Sequence, residues 1–130
     1  AAAEAQLGPL RLLIDPDAAN DLDDPVLRRR ARHVIAENAR VRTVASALPA
    51  GDLTAVGEAL VASHASLRDD FEVSTSVLDA LVDRLNATDG VIGARLTGAG
   101  FGGCVVALTE PGILDEGWLV RASAGAQVTA

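Results

Sequence analysis

Leu96-Thr97-Gly98-Ala99-Gly100-Phe101-Gly102-Gly103-Cys104 is the stretch that decides how this chain is read. Its closely spaced glycines permit positive φ and let another backbone, or an anion, come close. Successive N–H groups in such a turn form an anion-binding nest, so a phosphate or a neighbouring phosphate loop is its natural guest. A plain hairpin with a glycine-rich tip is the alternative that spacing alone leaves open. Gly98, Gly100 and Gly103 also satisfy G-x-G-x-x-G, the dinucleotide fingerprint. That fingerprint requires a helix directly after the loop. Cys104 to Thr109 is instead an apolar, β-branched run stopped by Glu110-Pro111-Gly112, which reads as a strand. The lysine-bearing phosphate loop is excluded as well, because the chain contains no lysine.

Working outward, Val91 to Thr97 reads as the strand before the turn, and Trp118 to Ala122 as a third strand near the end. Three helices precede them. Asp24-Pro25 supplies an N-cap with proline at the first helical position. Val26, Leu27, Ala31, Val34, Ile35, Val41, Val44, Ala45 and Leu48 then recur at helical spacing up to Gly51. Asp52 caps a second helix carrying Leu53, Val56, Leu60, Val61 and Leu67 toward Phe71. A third begins near Ser74 to Ser76, which read as its caps, and ends with Gly90 in the C-cap position. Residues 1–23 read as the remnant of a preceding segment or a linker, in which Gly8-Pro9 stops an alanine-rich helix almost at once. Residues 24–130 make the domain. Three helices followed by strands, with no internal repeat, indicate an α+β fold.

The 130 residues suffice for one domain and are too few for two. A net charge of −7 argues against nucleic acid or an anionic membrane as partner, and no apolar run is long enough for a membrane span. The N-terminal residues show no basic region followed by an apolar stretch, so no secretory leader is expected. Methionine is absent, which a processed N-terminus or a start inside a larger protein would each explain. Cys104 is the sole cysteine, so no internal disulfide exists and a reducing cytoplasm is expected. His33 and His64 lack any Cys-x-x-Cys partner, and no metal site is spelled out.

Single residues carry little catalytic promise. Asp69 and Asp70 are adjacent, so on a helix they diverge by about 100° and cannot face each other as an acid/base pair; they read as helix-end charge. His33 and His64 read as hydrogen-bonded packing residues, and Cys104 as a small buried thiol. Arg28, Arg29, Arg30 and Arg32 read as a solvated helical face, with contact to a partner as the alternative. Arg95 reads as a surface ion pair, with approach to phosphate from the strand end as the alternative.

The stretch Leu96 to Cys104 resembles the third signature motif of the GHMP kinases, which include galactokinases, homoserine kinases and mevalonate kinases. Phe101 among the glycines and Cys104 after them lean toward galactokinases. Arg29 to Asn38 resembles the long helix of galactokinases, and Ser63 to Ser74 (Ser-His-Ala-Ser-Leu-Arg-Asp-Asp-Phe-Glu-Val-Ser) their next helix and turn. The three occur in the right order across Asp24 to Thr109. The resemblance implies a ferredoxin-like GHMP kinase C-terminal domain, an antiparallel sheet packed on helices. It also implies transfer of the γ-phosphoryl group of ATP, with Mg²⁺, to the anomeric hydroxyl of galactose or a similar sugar. Gly98, Ala99, Gly100, Phe101, Gly102 and Gly103 are the positions that would lie next to the nucleotide.

The departures matter equally. The Arg-x-Asn-x-x-Gly-Glu-His motif that positions the sugar in the family does not occur, nor does the Ser-rich loop that wraps the ATP phosphates. Both belong to an N-terminal kinase domain, as do the family's catalytic aspartate and its neighbouring arginine. No catalytic residue and no metal ligand is therefore expected in this chain, and the N-terminal domain is its implied partner. Pro111 to Gly117 is too short to hold the helix that galactokinases commonly insert before their last strand, so that helix is expected to be lacking. A stand-alone ferredoxin-like binding or regulatory module, or a fragment without function, is the competing expectation.

Overall fold

In the computed structural model, which describes residues 1–123 and 125, the chain opens with α1 (Ala2–Leu7), closed by Gly8 at φ 75° ahead of Pro9. Two 3-10 turns follow, Leu10–Leu12 and Pro16–Asp21. The long helix α2 (Pro25–Ala50) starts where the Asp24 carboxylate accepts from Val26 N–H at 2.7 Å, and it ends at Gly51 in the left-handed region. Residues 1–23 do not trail from it. Ala3, Ala19 and Leu22 bury themselves with Ala31 of α2, and Leu7, Leu10 and Leu27 pack around them. A short alanine-rich helix is marginal alone in water, and this contact is what covers it.

Helix α3 (Leu53–Asp69) is capped by Asp52, which accepts from Ala55 N–H at 3.0 Å. In α4 (Ser76–Asn86) the cap is Thr75, not either flanking serine. Its extended backbone (φ −129°, ψ 158°) brings the hydroxyl to Leu78 N–H at 3.3 Å. Gly90 is likewise not the C-cap. Ala87 closes α4, while Gly90, at φ 85°, turns the chain into the following strand. Along α2, burial follows what lies opposite: Ala31, His33, Ile35 and Ala47 are buried, whereas Val26, Val41 and Leu48 of the expected apolar stripe are exposed.

The strands β1 (Val91–Thr97) and β2 (Cys104–Thr109) pair antiparallel from Val91↔Thr109 to Thr97↔Cys104, with an irregularity between Val91 and Gly93. Ala94 and Leu96 point into a core made with Leu67 of α3, Val73, and Leu78, Val82 and Leu85 of α4. Helix α3 comes unusually close to β1: a Cβ on Gly57 would lie 2.2 Å from Ile92 O, and one on Gly93 2.9 Å from Gly57 O. The outer edge of β1 is closed by side chains. Leu96 N–H donates to His64 Nδ1 at 3.2 Å, and Ala94 N–H donates to Asn86 Oδ1 at 2.8 Å.

The expected third strand does not form. Trp118, Leu119 and Val120 are 77–89% exposed and unpaired in the sheet, which has two strands among the described residues. Their β propensity is real, but propensity counts only where a neighbour supplies pairing and packing. Gly112 and Gly117, at φ 79° and 81°, turn the connection instead of returning it along β2. Among the described residues no helix follows β2. The architecture is α+β, an antiparallel sheet packed on helices.

Candidate functional site

The glycine-rich turn joins β1 to β2 and has two unlike sides. Gly98, Gly100, Phe101, Gly102 and Gly103 all take positive φ, between 59° and 130°. Its inner side is anchored. Phe101 N–H donates to Val73 O at 2.7 Å, and a Cβ on Gly100 would lie 2.4 Å from that same oxygen. Its outer side is open, since a Cβ on Gly98, Gly102 or Gly103 would meet nothing within 4 Å. The Phe101 ring stands out into solvent at 75% exposure, on a non-glycine residue held at φ 59°. A strand, not a helix, begins at Cys104, which rules out the dinucleotide geometry structurally as well.

The residues that hold this turn come from three elements. His64, buried in α3, accepts from Leu96 N–H through Nδ1, so its Nε2 carries the proton and donates to Asp79 Oδ1 at 3.1 Å. Ser74 O–H donates to the same carboxylate oxygen at 2.5 Å. Val73, His64 and Asp79 escape sequence reasoning as a group. His64 reads in sequence only as a hydrogen-bonded packing residue, and no spacing rule joins residues 64, 73, 79 and 101. Ser74, read there as a cap, belongs to this group instead.

Arg28, Arg29, Arg30 and Arg32 of α2 are tethered rather than solvated. Arg28 donates to Leu22 O through both Nε and a terminal nitrogen, at 3.0 and 2.8 Å. Arg30 reaches Glu72 at 2.6 Å and the Asp70 carbonyl, while Arg29 also meets Glu72. Hydrogen bonds from Arg30 and Arg29 hold the Glu72 carboxyl below its usual range. Arg32 donates to Asn20 at 3.0 Å and lies 3.9 Å from Asp70. The cluster thus ties α2 both to the N-terminal segment and to the α3–α4 link that carries Val73. Asp69 pairs with Arg68 at 2.8 Å on the surface, a helix-end charge as expected, whereas Asp70 is only 20% exposed and accepts the Ser66 hydroxyl at 3.1 Å.

His33 is a packed, hydrogen-bonded side chain. With the Ser66 hydroxyl proton donated to Asp70, His33 Nδ1–H donates to Ser66 Oγ at 3.0 Å, and its ring stacks 4.5 Å from that of Phe71. Burial lowers its pKa, outweighing the opposing charges of Glu37 and Asp70. Arg95 forms the expected ion pair, but in a partly buried setting. It donates to Ser63 Oγ at 2.6 Å and Glu37 Oε2 at 3.1 Å, with Arg40 on the other Glu37 oxygen at 2.7 Å. Burial pushes the Glu37 carboxyl up, but its hydrogen bonds to Arg40 and Ser63 and the Arg95 charge prevail and hold it below the usual range. The Arg95 Nε also donates to Leu96 O, at the foot of the turn, at 2.9 Å, so Arg95 joins the Glu37 carboxylate to the base of the turn. Cys104 is exposed, contrary to the expected buried thiol, because it sits where the strand pair opens into the turn.

The chemistry this arrangement offers is backbone and shape: a fixed, left-handed bend with an accessible outer surface. Among the described residues no group of three or more His, Cys, Asp or Glu side chains gathers where it could hold a metal ion. Among the same residues no helix is long and apolar enough to cross a membrane.

A family model described as GHMP kinases C terminal matches residues 44–116, more than half of the chain, and spans the turn with the helices and strands that hold it. The chain therefore belongs to the GHMP kinase family, as a C-terminal domain. Within that family it is galactokinase-like. The solved galactokinase of Lactococcus lactis, complexed with galactose, is 45% identical and superposes with a TM-score of 0.72 over 77% of this chain. The match covers 26% of that galactokinase, so the chain spans about a quarter of its length.

Proposed function

We propose that this chain is the C-terminal lobe of a galactokinase-type enzyme that moves the γ-phosphoryl group of ATP to the anomeric hydroxyl of galactose. Residues 24–130 are the lobe itself, and residues 1–23 lead into it from an N-terminal kinase domain. Gly98, Ala99, Gly100, Phe101, Gly102 and Gly103 support that domain's phosphate-wrapping loop from behind. The single observation that carries this reading is the two-sided turn: the inner side is locked on Val73, and the outer side is free for another backbone. Phosphoryl transfer depends on positioning and on neutralising charge, with ATP bringing Mg²⁺ to the site. This lobe contributes the positioning. The ligands for ATP and Mg²⁺, the sugar contacts and the group that takes the hydroxyl proton lie mainly in the partner domain. The cytoplasm is the proposed setting, supported by a thiol left free and exposed at Cys104.

Purified alone, the chain is expected to release no ADP when given galactose, ATP and Mg²⁺ in a coupled assay. Co-expressed with the N-terminal domain of a close relative, it is expected to form a complex and regain turnover. Galactose-dependent ADP release by the isolated chain, or failure of every such pairing to form a complex, refutes the proposal.

A further inference from the structure

We infer that His64, Asp79 and Ser74 act together as positioning residues for the glycine turn. The contacts close a ring. From Leu96, at the foot of the turn, an N–H bond leads to His64; from His64, a bond leads to Asp79; Asp79 also takes the Ser74 hydroxyl. Ser74 follows Val73, whose carbonyl holds the tip of the turn through Phe101 N–H. Foot and tip are therefore fastened to one another through α3, α4 and the link between them. His64 is 3% exposed and both its ring nitrogens are engaged, which fixes its tautomer and its orientation. Asp79 accepts two donors on one oxygen, so moving either donor disturbs the other. A histidine present for packing alone needs neither a bond to the backbone of the turn's own strand nor a shared carboxylate with the residue beside the turn's other anchor. The role rests on the proposed function, because the turn's position matters only if its outer side meets a nucleotide-binding lobe.

Amide hydrogen exchange on the full chain tests the ring independently of kinase activity. The substitutions are Ser74→Ala, at the half-buried rim; His64→Gln, which keeps a donor toward Asp79 and withdraws the acceptor from Leu96; and Asp79→Asn. Each is expected to speed exchange at Phe101 N–H roughly tenfold relative to amides inside α2, the consequence of releasing one anchored hydrogen bond. Acceleration at Phe101 no greater than at the α2 amides refutes the ring. Ser74→Ala keeps the test decisive should the two more buried changes prevent folding. In the complex with the N-terminal domain, Ser74→Ala is expected to raise KM for ATP several-fold with little change in kcat. Faster exchange at Phe101 without any change in KM for ATP refutes the nucleotide-facing role of the turn and leaves the ring standing.

Discussion

Replacing Gly100 by alanine tests the claim that the turn has a locked side. The new Cβ would lie 2.4 Å from Val73 O and 2.6 Å from Val73 Cβ, while the backbone sits at φ 84°. Two costs add. Holding an L-residue in left-handed backbone costs about 1–2 kcal/mol. Forcing a methyl against a fixed carbonyl and its side chain costs about 1–3 kcal/mol more. Gly98 provides the control, since it has nearly the same φ, 88°, but nothing within 4 Å of its Cβ position. Gly98→Ala therefore carries the first cost without the second. Urea unfolding of both variants, compared at equal slope, should place the Gly100→Ala midpoint below that of Gly98→Ala by the equivalent of about 1–3 kcal/mol. Equal midpoints, or a lower one for Gly98→Ala, would refute the locked inner side and with it the account of how the turn is held.

Other outcomes follow from the same geometry. Gly57→Ala gains about 1 kcal/mol of helix propensity, yet its methyl would strike Ile92 O at 2.2 Å, so thermal unfolding should show a net loss of stability; a raised Tm would contradict the close α3–β1 approach. Asp24→Ala removes the acceptor for Val26 and Leu27 N–H and should cost about 1 kcal/mol in a denaturation curve, with Asp24→Asn nearly neutral. Stability should also depend on pH in two steps. His33 has a folded pKa below its ordinary 6.5, so its contribution is complete above that value and declines as pH falls beneath it. Glu37, held below its ordinary 4.5, contributes fully above that pH and loses its contribution as acid protonates it. Chemical unfolding between pH 8 and 3 reads both, and a His33→Phe variant with an unchanged slope near pH 6 would contradict the first.

What the sequence makes legible here is local. Asp24-Pro25 and Asp52 announce helices because a cap acts within three residues of itself. Both strands of the hairpin follow from β-branched runs bounded by glycine. Thr75 is hidden between Ser74 and Ser76 because all three hydroxyls suit a cap, and only the pull of Asp79 on Ser74 separates them. Arg28 to Arg32 look solvated in sequence because their acceptors, Leu22 O, Asn20, Asp70 O and Glu72, lie in the segment just before α2 and in the distant α3–α4 link, and are partly backbone. The site divides the same way. The glycines and their conformations are readable, whereas the ring through His64 is tertiary throughout. Trp118 to Ala122 shows the converse case, a segment with strand-forming residues that the fold leaves without a neighbour.

The side-chain amide of Asn86 sits beside Ala94 much as an adjoining chain would, and His64 fills the next place along. With that flank sealed, any further strand has a single entrance, alongside Val105 and Ala107 of β2. Lateral extension of the sheet is consequently one-directional.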